Sequence, residues 1–275
     1  MRLHRSSELR RFLEELGIDA KKGLSQNFLI DGNILRKTVR AADILPHDHV
    51  IEIGPGPGAL TECLLDAGAE VTAIEIDRTF ARALQRLQSD QTPLHILCED
   101  FLKFSLEEYL PTIGKKVKVV ANLPYHITTP ILTKLLPLCH AIESVTVMVQ
   151  KEFARRMTAS PGSPDYGSFS VFTAFYSHPT YCFTVEPTCF YPQPNVQSAV
   201  VHCQLHPSLL RSNTEAFFEL TRTAFQQRRK MLRTSLKLLY SAEAIERALA
   251  EMGISTTARP EELSLKEFLT LFDKL

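Results

Sequence analysis

The sequence predicts an α/β fold, a parallel sheet flanked by helices and followed by a small all-helical domain, and three observations carry that reading. Val50, Ile51 and Ile53 form a β-branched run that stops at Gly54, with Gly56 and Gly58 in alternation and the helix-like Ala59, Leu60, Glu62, Leu64 and Leu65 behind them. Such a run bounded by turn residues reads as a buried strand. From there to residue 157 strand-like and helix-like patterns alternate, which builds a parallel sheet covered on both faces. Residues 214–275, by contrast, carry helical periodicity alone.

The 275 residues, 44% hydrophobic and 23% charged, suffice for one full core and a smaller second domain without disulfide or metal staples. The six cysteines include no Cys-x-x-Cys pair and read as reduced thiols of a cytoplasmic protein. No apolar run reaches membrane-spanning length, and the basic N-terminus has no signal-like apolar stretch. With 31 basic and 31 acidic residues the formal net charge is +0, so any nucleic-acid binding must come from local patches.

Taken in order, residues 6–16 place Leu9, Phe12, Leu13 and Leu16 on one helix face, a packing helix ended by Gly17. Lys21, Lys22 and the polar pair Gln26-Asn27 follow; the pair either caps the helix expected over Asn33–Ala42 or serves a site. After the Gly-rich turn come a strand over Glu70–Ile76, a helix over Phe80–Gln88, and strands over Leu94–Leu97 and Val117–Ala121. A helix over Thr129–Leu138, a strand over Ser144–Val149 and a helix over Lys151–Met157 complete the alternation. Residues 158–168, rich in Pro and Gly, read as a loop, and Phe169–Tyr176, Tyr181–Val185 and Ser198–Leu205 as an antiparallel sheet edge. Pro207–Asn213 reads as a linker, which gives an N-terminal helical extension (1–20), an α/β domain (21–206) and a helical C-terminal domain (207–275). A continuous helix over 217–239 would align Arg222, Arg229, Arg233 and Lys237 as a stripe that either clamps nucleic-acid phosphates or faces water.

Strand, Gly-rich turn and helix form a nucleoside-cofactor site at the carboxyl end of a parallel strand. Gly54, Gly56 and Ala59 satisfy a permissive dinucleotide pattern, so NAD and S-adenosylmethionine both remain open. Glu75 and Asp77 end the next strand about twenty residues on, where a ribose diol requires a carboxylate. The second stretch that carries chemistry is Asn122-Leu123-Pro124-Tyr125, directly after a strand and so on the same sheet edge. It offers an amide oxygen, a backbone carbonyl at Leu123 and an aromatic plane, the parts that hold a flat base bearing an exocyclic amine. The plainer reading is a tight turn with Tyr125 in the core. His202, Cys203 and His206 are read as a strand end rather than a metal corner.

These stretches, taken together, resemble the ribosomal RNA adenine dimethyltransferases, and most closely the KsgA branch, which acts on small-subunit RNA. The resemblance runs from Lys21 to about Leu236 and rests on Gln26-Asn27-Phe28-Leu29, the run Glu52–Thr61, Glu75-Ile76-Asp77, Glu99-Asp100 and Asn122-Leu123-Pro124-Tyr125. Gln150-Lys151-Glu152, Phe190–Pro194 with Val196 and Ser198, and Ala224–Lys230 extend it. It implies a Rossmann-like methyltransferase fold, S-adenosylmethionine as cofactor with S-adenosylhomocysteine as product, no metal, and dimethylation of N6 on two adjacent adenosines in a hairpin near the 3' end of 16S rRNA. Asn27, Leu29 and Gly54 are implied to contact the methionine portion of the cofactor, Glu75 the ribose hydroxyls and Asp100 the adenine amine. Asn122, implied to border the cofactor as well, and Leu123 are implied to orient the target N6, with Tyr125 and Phe190 stacking on the flipped base. The implied partner is the small ribosomal subunit or its precursor, met by a monomer away from membranes, with a role in subunit biogenesis.

His126, Asn195 and Gln197 depart from the pattern of the KsgA branch, and residues 100–104 are more like the Erm branch, which methylates large-subunit RNA. Two readings from other classes stand beside this one. An NAD-dependent dehydrogenase needs a proton-relay residue where this chain has Asn122 and Tyr125, and a non-catalytic RNA-binding assembly factor has no need of that pair.

Overall fold

The computed structural model describes residues 3, 6–18, 27–89, 92–209 and 213–275. Lys21, Lys22 and Gln26 lie outside the described residues, as do residues 210–212 of the expected linker. The chain divides into two compact units, Met1–Ala154 with Thr180–His206, and Arg155–Pro179 with Pro207–Leu275.

The first unit begins with α1 (Ser6–Glu15), then β1 (Phe28–Leu29) and α2 (Gly32–Ala41). Next come β2 (His49–Ile53), α3 (Ala59–Asp66), β3 (Glu70–Ile74), α4 (Arg78–Leu84), β4 (Leu94–Leu97), α5 (Leu106–Ile113), β5 (Val117–Asn122), α6 (Thr128–Leu135) and β6 (Ile142–Gln150). After α7 (Lys151–Met157) and α8 (Ser168–Tyr176), the chain runs through β7 (Ser177–Val185), β8 (Phe190–Tyr191) and β9 (Ser198–Leu205). The main sheet has the order β4-β3-β2-β5-β6-β9-β7, with β4, β3, β2, β5 and β6 parallel and β9 antiparallel to β6. This is the α/β sheet expected from the alternating pattern, and the Rossmann-like fold that the resemblance implies.

Its strand order places the site. The chain winds outward from β2 through β3 to β4, then returns to lay β5 on the other side of β2. A crevice opens outside the carboxyl ends of strands at such a reversal, here between Gly54 and Asn122. β2 is buried along its whole length, as is β5 up to Ala121, so the β-branched runs are read on both faces by helices, and each run ends where polar chemistry begins.

Local differences from the expected elements have local causes. Residues 169–176 form α8 rather than a strand: Phe169, Phe172, Phe175 and Tyr176 recur at helical spacing, and Phe172 and Phe175 meet Phe218 and Phe217 with ring centroids 5.0 and 5.3 Å apart. Helix α5 was hidden by Pro111 in its middle. β1 and β8, two residues each, pair Phe28 with Tyr191 and Leu29 with Phe190, too short to show any period. Asp31, not the Gln-Asn pair, caps α2, its carboxylate accepting from the N–H groups of Asn33 (2.8 Å) and Ile34 (3.2 Å).

The second unit is helical: α8, then α9 (Thr214–Gln226), α10 (Leu232–Ser235), α11 (Ala242–Glu251) and α12 (Leu265–Lys274). Whereas the sequence reading put residues 155–179 with the α/β domain, they pack with these helices. No continuous helix spans 217–239, because α9 ends at Gln226; Arg229 lies in the turn and Arg233 is paired with Glu246, so the expected basic stripe is broken. Among the described residues no helix is long and apolar enough to cross a membrane.

Candidate active site

At the end of β2 the backbone turns through Gly54, Gly56 and Gly58, at φ values of 65°, 54° and 91°. At two of these positions a side chain would also crowd its neighbours. A Cβ on Gly58 would stand 2.6 Å from Leu84 Cδ2, and one on Gly56 would meet the Phe28 ring at 3.2 Å. Bare backbone therefore faces a cavity of about 580 Å3, the size range of a small-molecule site.

Glu75, which follows β3, is 5% exposed and held from both sides. Its Oε2 accepts from Gly56 N–H and its Oε1 from Asp77 N–H, each at 2.9 Å. A carboxylate has about four lone-pair sites, so these two bonds leave it capacity to accept from a ligand. Burial pushes its carboxyl up despite those N–H groups. Asp77 is occupied as the cap of α4, accepting from Thr79 N–H at 2.7 Å. Asp100 Oδ1 accepts from Leu102 N–H at 3.0 Å, which fixes that carboxylate on the cavity wall.

At the end of β5 the Leu123 N–H donates to the Met148 carbonyl at 3.1 Å, continuing the ladder one residue past the strand. Asn122 donates through Nδ2 to the backbone carbonyl of Asn27 at 3.3 Å. That bond leaves its amide oxygen as an acceptor. Tyr125 opens a short 3-10 turn, half-buried, with its hydroxyl 2.7 Å from Ser198 Oγ. Burial holds its phenol above the usual range, so it stays protonated at neutral pH.

Of the nine residues expected at the site, Asn27, Leu29, Gly54, Glu75, Asp100, Asn122, Leu123 and Tyr125 line this one cavity. Phe190 does not: it is 1% exposed and lies in the core with Leu29, Phe183, Val185 and Val200. It pairs with Leu29 in the β1–β8 ladder, and the phenylalanines on the cavity wall are Phe28, Phe80 and Phe101.

The sequence reading missed several lining residues. Ile76, between the two carboxylates, is 67% exposed, an apolar surface beside Glu75. Leu3 and Leu9, the latter on a helix read as packing alone, also line the cavity. Glu52 is 1% exposed, and among the described residues its Oε2 has no hydrogen-bond partner. Burial drives its carboxyl up to about 8, with the neighbouring Thr61 hydroxyl opposing the rise. An orphaned carboxyl oxygen at the foot of the Gly-rich turn is a place for a ligand's cationic group. Among the described residues no three His, Cys, Asp or Glu side chains are grouped to hold a metal, and His202 instead meets Thr146 Oγ1 at 2.8 Å through Nδ1.

Bare glycine backbone, a carboxylate for a diol, an apolar surface for a flat ring and an orphaned carboxyl for an ammonium suit a nucleoside bearing an amino-acid tail. The profile of the ribosomal RNA adenine dimethylases matches residues 17–275. The chain belongs to the ribosomal RNA adenine dimethylase family. The protein called ribosomal RNA small subunit methyltransferase A in Protochlamydia amoebophila is 53% identical over 278 residues, covering 100% of this chain and 98% of that one. The protein of the same description in Chlamydia trachomatis serovar D is 48% identical, covering 98% of this chain and 96% of its own. Among solved structures, a dimethyladenosine transferase from Plasmodium falciparum superposes with a TM-score of 0.77 at 26% identity, over 89% of this chain and 95% of that one. The 23S rRNA methyltransferase ErmE gives 0.71 at 28% identity, over 90% and 99%. As a member of the adenine dimethylases the chain is an S-adenosylmethionine-dependent rRNA methyltransferase, and the dehydrogenase reading falls.

Proposed function

We propose that this adenine dimethylase acts on the small ribosomal subunit or its precursor, converting two adjacent adenosines of a hairpin near the 3' end of 16S rRNA to N6-dimethyladenosine. The observation that carries the catalytic part is the fixed orientation of the Asn122 amide, whose Nδ2 is engaged by the Asn27 carbonyl. The choice of the small subunit is supported by the 53% and 48% relatives, both described by that activity. The likeness to the 23S rRNA enzyme ErmE, at 28%, supports the large-subunit alternative less.

In this reading Glu75 accepts from the ribose hydroxyls, Ile76 covers one face of the cofactor adenine and Asp100 takes its amine. Glu52 faces the cofactor ammonium, beside the bare backbone of Gly54 and the Asn27–Leu29 segment. When bound, S-adenosylmethionine supplies a methyl group on a cationic sulfur, already a strong electrophile. The difficulty lies with the adenine N6, whose lone pair is delocalised into the ring. Asn122 Oδ1 and the Leu123 carbonyl accept its two N–H bonds and hold the nitrogen out of conjugation, aimed at the methyl, while Tyr125 stacks on the base. With the cofactor held by Glu75, Asp100 and the Gly54 backbone, its methyl would pass to the N6 lone pair, the S–CH3 bonding electrons would stay on sulfur and the N6 proton would leave to water. Tyr125, kept protonated, is a platform rather than a base. The reading includes a cytoplasmic monomer, S-adenosylhomocysteine as the only cofactor product, no metal, and a part in subunit biogenesis.

The test is incubation with labelled S-adenosylmethionine and either immature small subunits or large-subunit RNA, followed by mapping of the label. Two neighbouring dimethyladenosines in 16S rRNA are expected. Label confined to 23S rRNA would overturn the assignment.

A further inference from the structure

Tyr125 reaches the cavity from a short 3-10 turn, and a tyrosine ring so placed swings about two single bonds unless something holds its far end. Something does. The phenol oxygen is 2.7 Å from the hydroxyl of Ser198, a residue 73 positions away and 0% exposed. Ser198 is itself rigidly mounted as the first residue of β9, in register with Gln150 of β6. The residue before it is tied down three times. Gln197 accepts from Lys151 N–H at 3.0 Å through its carbonyl and from Lys151 Nζ at 2.8 Å through Oε1, and donates through Nε2 to Glu186 at 2.6 Å. The antiparallel edge of the sheet thus ends in a fixed hydroxyl aimed at the ring on the cavity wall.

We infer that Ser198 is a positioning residue for base methylation: its hydroxyl clamps the Tyr125 phenol and sets the plane on which the target adenine stacks. The inference rests on the reading of Tyr125 as that stacking platform. It has a consequence that a general structural role lacks. The first transfer works on an amine with two N–H bonds, both held by Asn122 Oδ1 and the Leu123 carbonyl. After it, N6 carries one methyl and one N–H, so one of those two hydrogen bonds is gone. Orientation for the second transfer, in which N6 again bonds to a methyl leaving sulfur and sheds its last proton to water, then depends more heavily on stacking. Loosening the Tyr125 plane must therefore slow the second methylation more than the first.

The experiment is single-turnover methylation of immature small subunits by wild-type protein, Ser198→Ala, Tyr125→Phe and the double variant, with mono- and dimethyladenosine quantified and S-adenosylmethionine affinity measured alongside. Ser198→Ala is expected to lower the ratio of second- to first-step rate by roughly fivefold, the order one neutral hydrogen bond supplies, with cofactor affinity unchanged. Tyr125→Phe removes the same bond without touching β9, so it should match Ser198→Ala, and the double variant should be no worse than either. A wild-type step ratio in Tyr125→Phe, or additive losses in the double variant, would overturn the inference. Tyr125→Ala separates the two layers: full methylation by that variant would remove the stacking platform and the clamp together, whereas impaired methylation beside a neutral Tyr125→Phe would remove the clamp alone.

Discussion

The side-chain amide of Asn122 donates to the backbone carbonyl of Asn27 at 3.3 Å, joining the end of β5 to the segment that enters β1. The bond decides which way the amide faces. With its nitrogen committed, Asn122 keeps its amide oxygen free to accept, and the segment that lines one side of the cavity also orients the residue proposed to hold the target amine.

Glu75 should be separable from this function. Its two oxygens are held by Gly56 and Asp77 N–H groups, and the residue lines the cavity. Glu75→Ala is expected to weaken S-adenosylmethionine binding by about 1 to 3 kcal/mol, the range for hydrogen bonds to a charged group. Calorimetric titration reads it directly, and an unchanged dissociation constant would remove Glu75 from the ribose site.

The buried carboxyl of Glu52 imposes a pH dependence on the ligand-free protein. Its ordinary value of 4.5 is raised to about 8 by burial, so between those limits the folded chain keeps a proton that the unfolded chain has released. This contribution to stability is complete below about 4.5, declines as the pH rises, and is lost above about 8. Glu52→Gln should flatten the melting temperature across that window. Parallel curves for variant and wild type would show that Glu52 does not titrate there.

Phe190 tests the difference between sequence expectation and structure. As a base-stacking residue it would affect turnover while sparing the fold; as a 1% exposed core residue it should do the reverse. Phe190→Ala is expected to cost about 3 to 5 kcal/mol in denaturant unfolding, the range for emptying a buried aromatic site. A stable variant with slow methylation would return Phe190 to the cavity.

The parallel strands and the Gly54 and Asn122 loops were legible because burial on both faces demands unbroken β-branched runs, and chemistry demands that each run stop at a residue of special type. The aromatic run 169–176 misled because aromatics favour strands on average, while its 3- and 4-residue spacing, the stronger signal, marks a helix. Phe190 misled for a related reason: nothing in a motif says which side of a two-residue strand faces the cavity. Glu52 and Ser198 stood within the stretches that carry the resemblance, but with no role of their own. One matters through a missing partner and the other through Tyr125, 73 positions away, and both facts belong to the folded chain.

The most direct test of the account is Asn122→Ala, assayed for single-turnover methylation of small-subunit rRNA and for S-adenosylmethionine affinity on the same preparation. The orienting acceptor disappears while the other residues assigned to the cofactor remain, so methylation should fall by roughly two orders of magnitude or more, with the dissociation constant near wild type. Methylation at the wild-type rate, or a parallel collapse of cofactor binding, would contradict the assignment of Asn122 to the target amine.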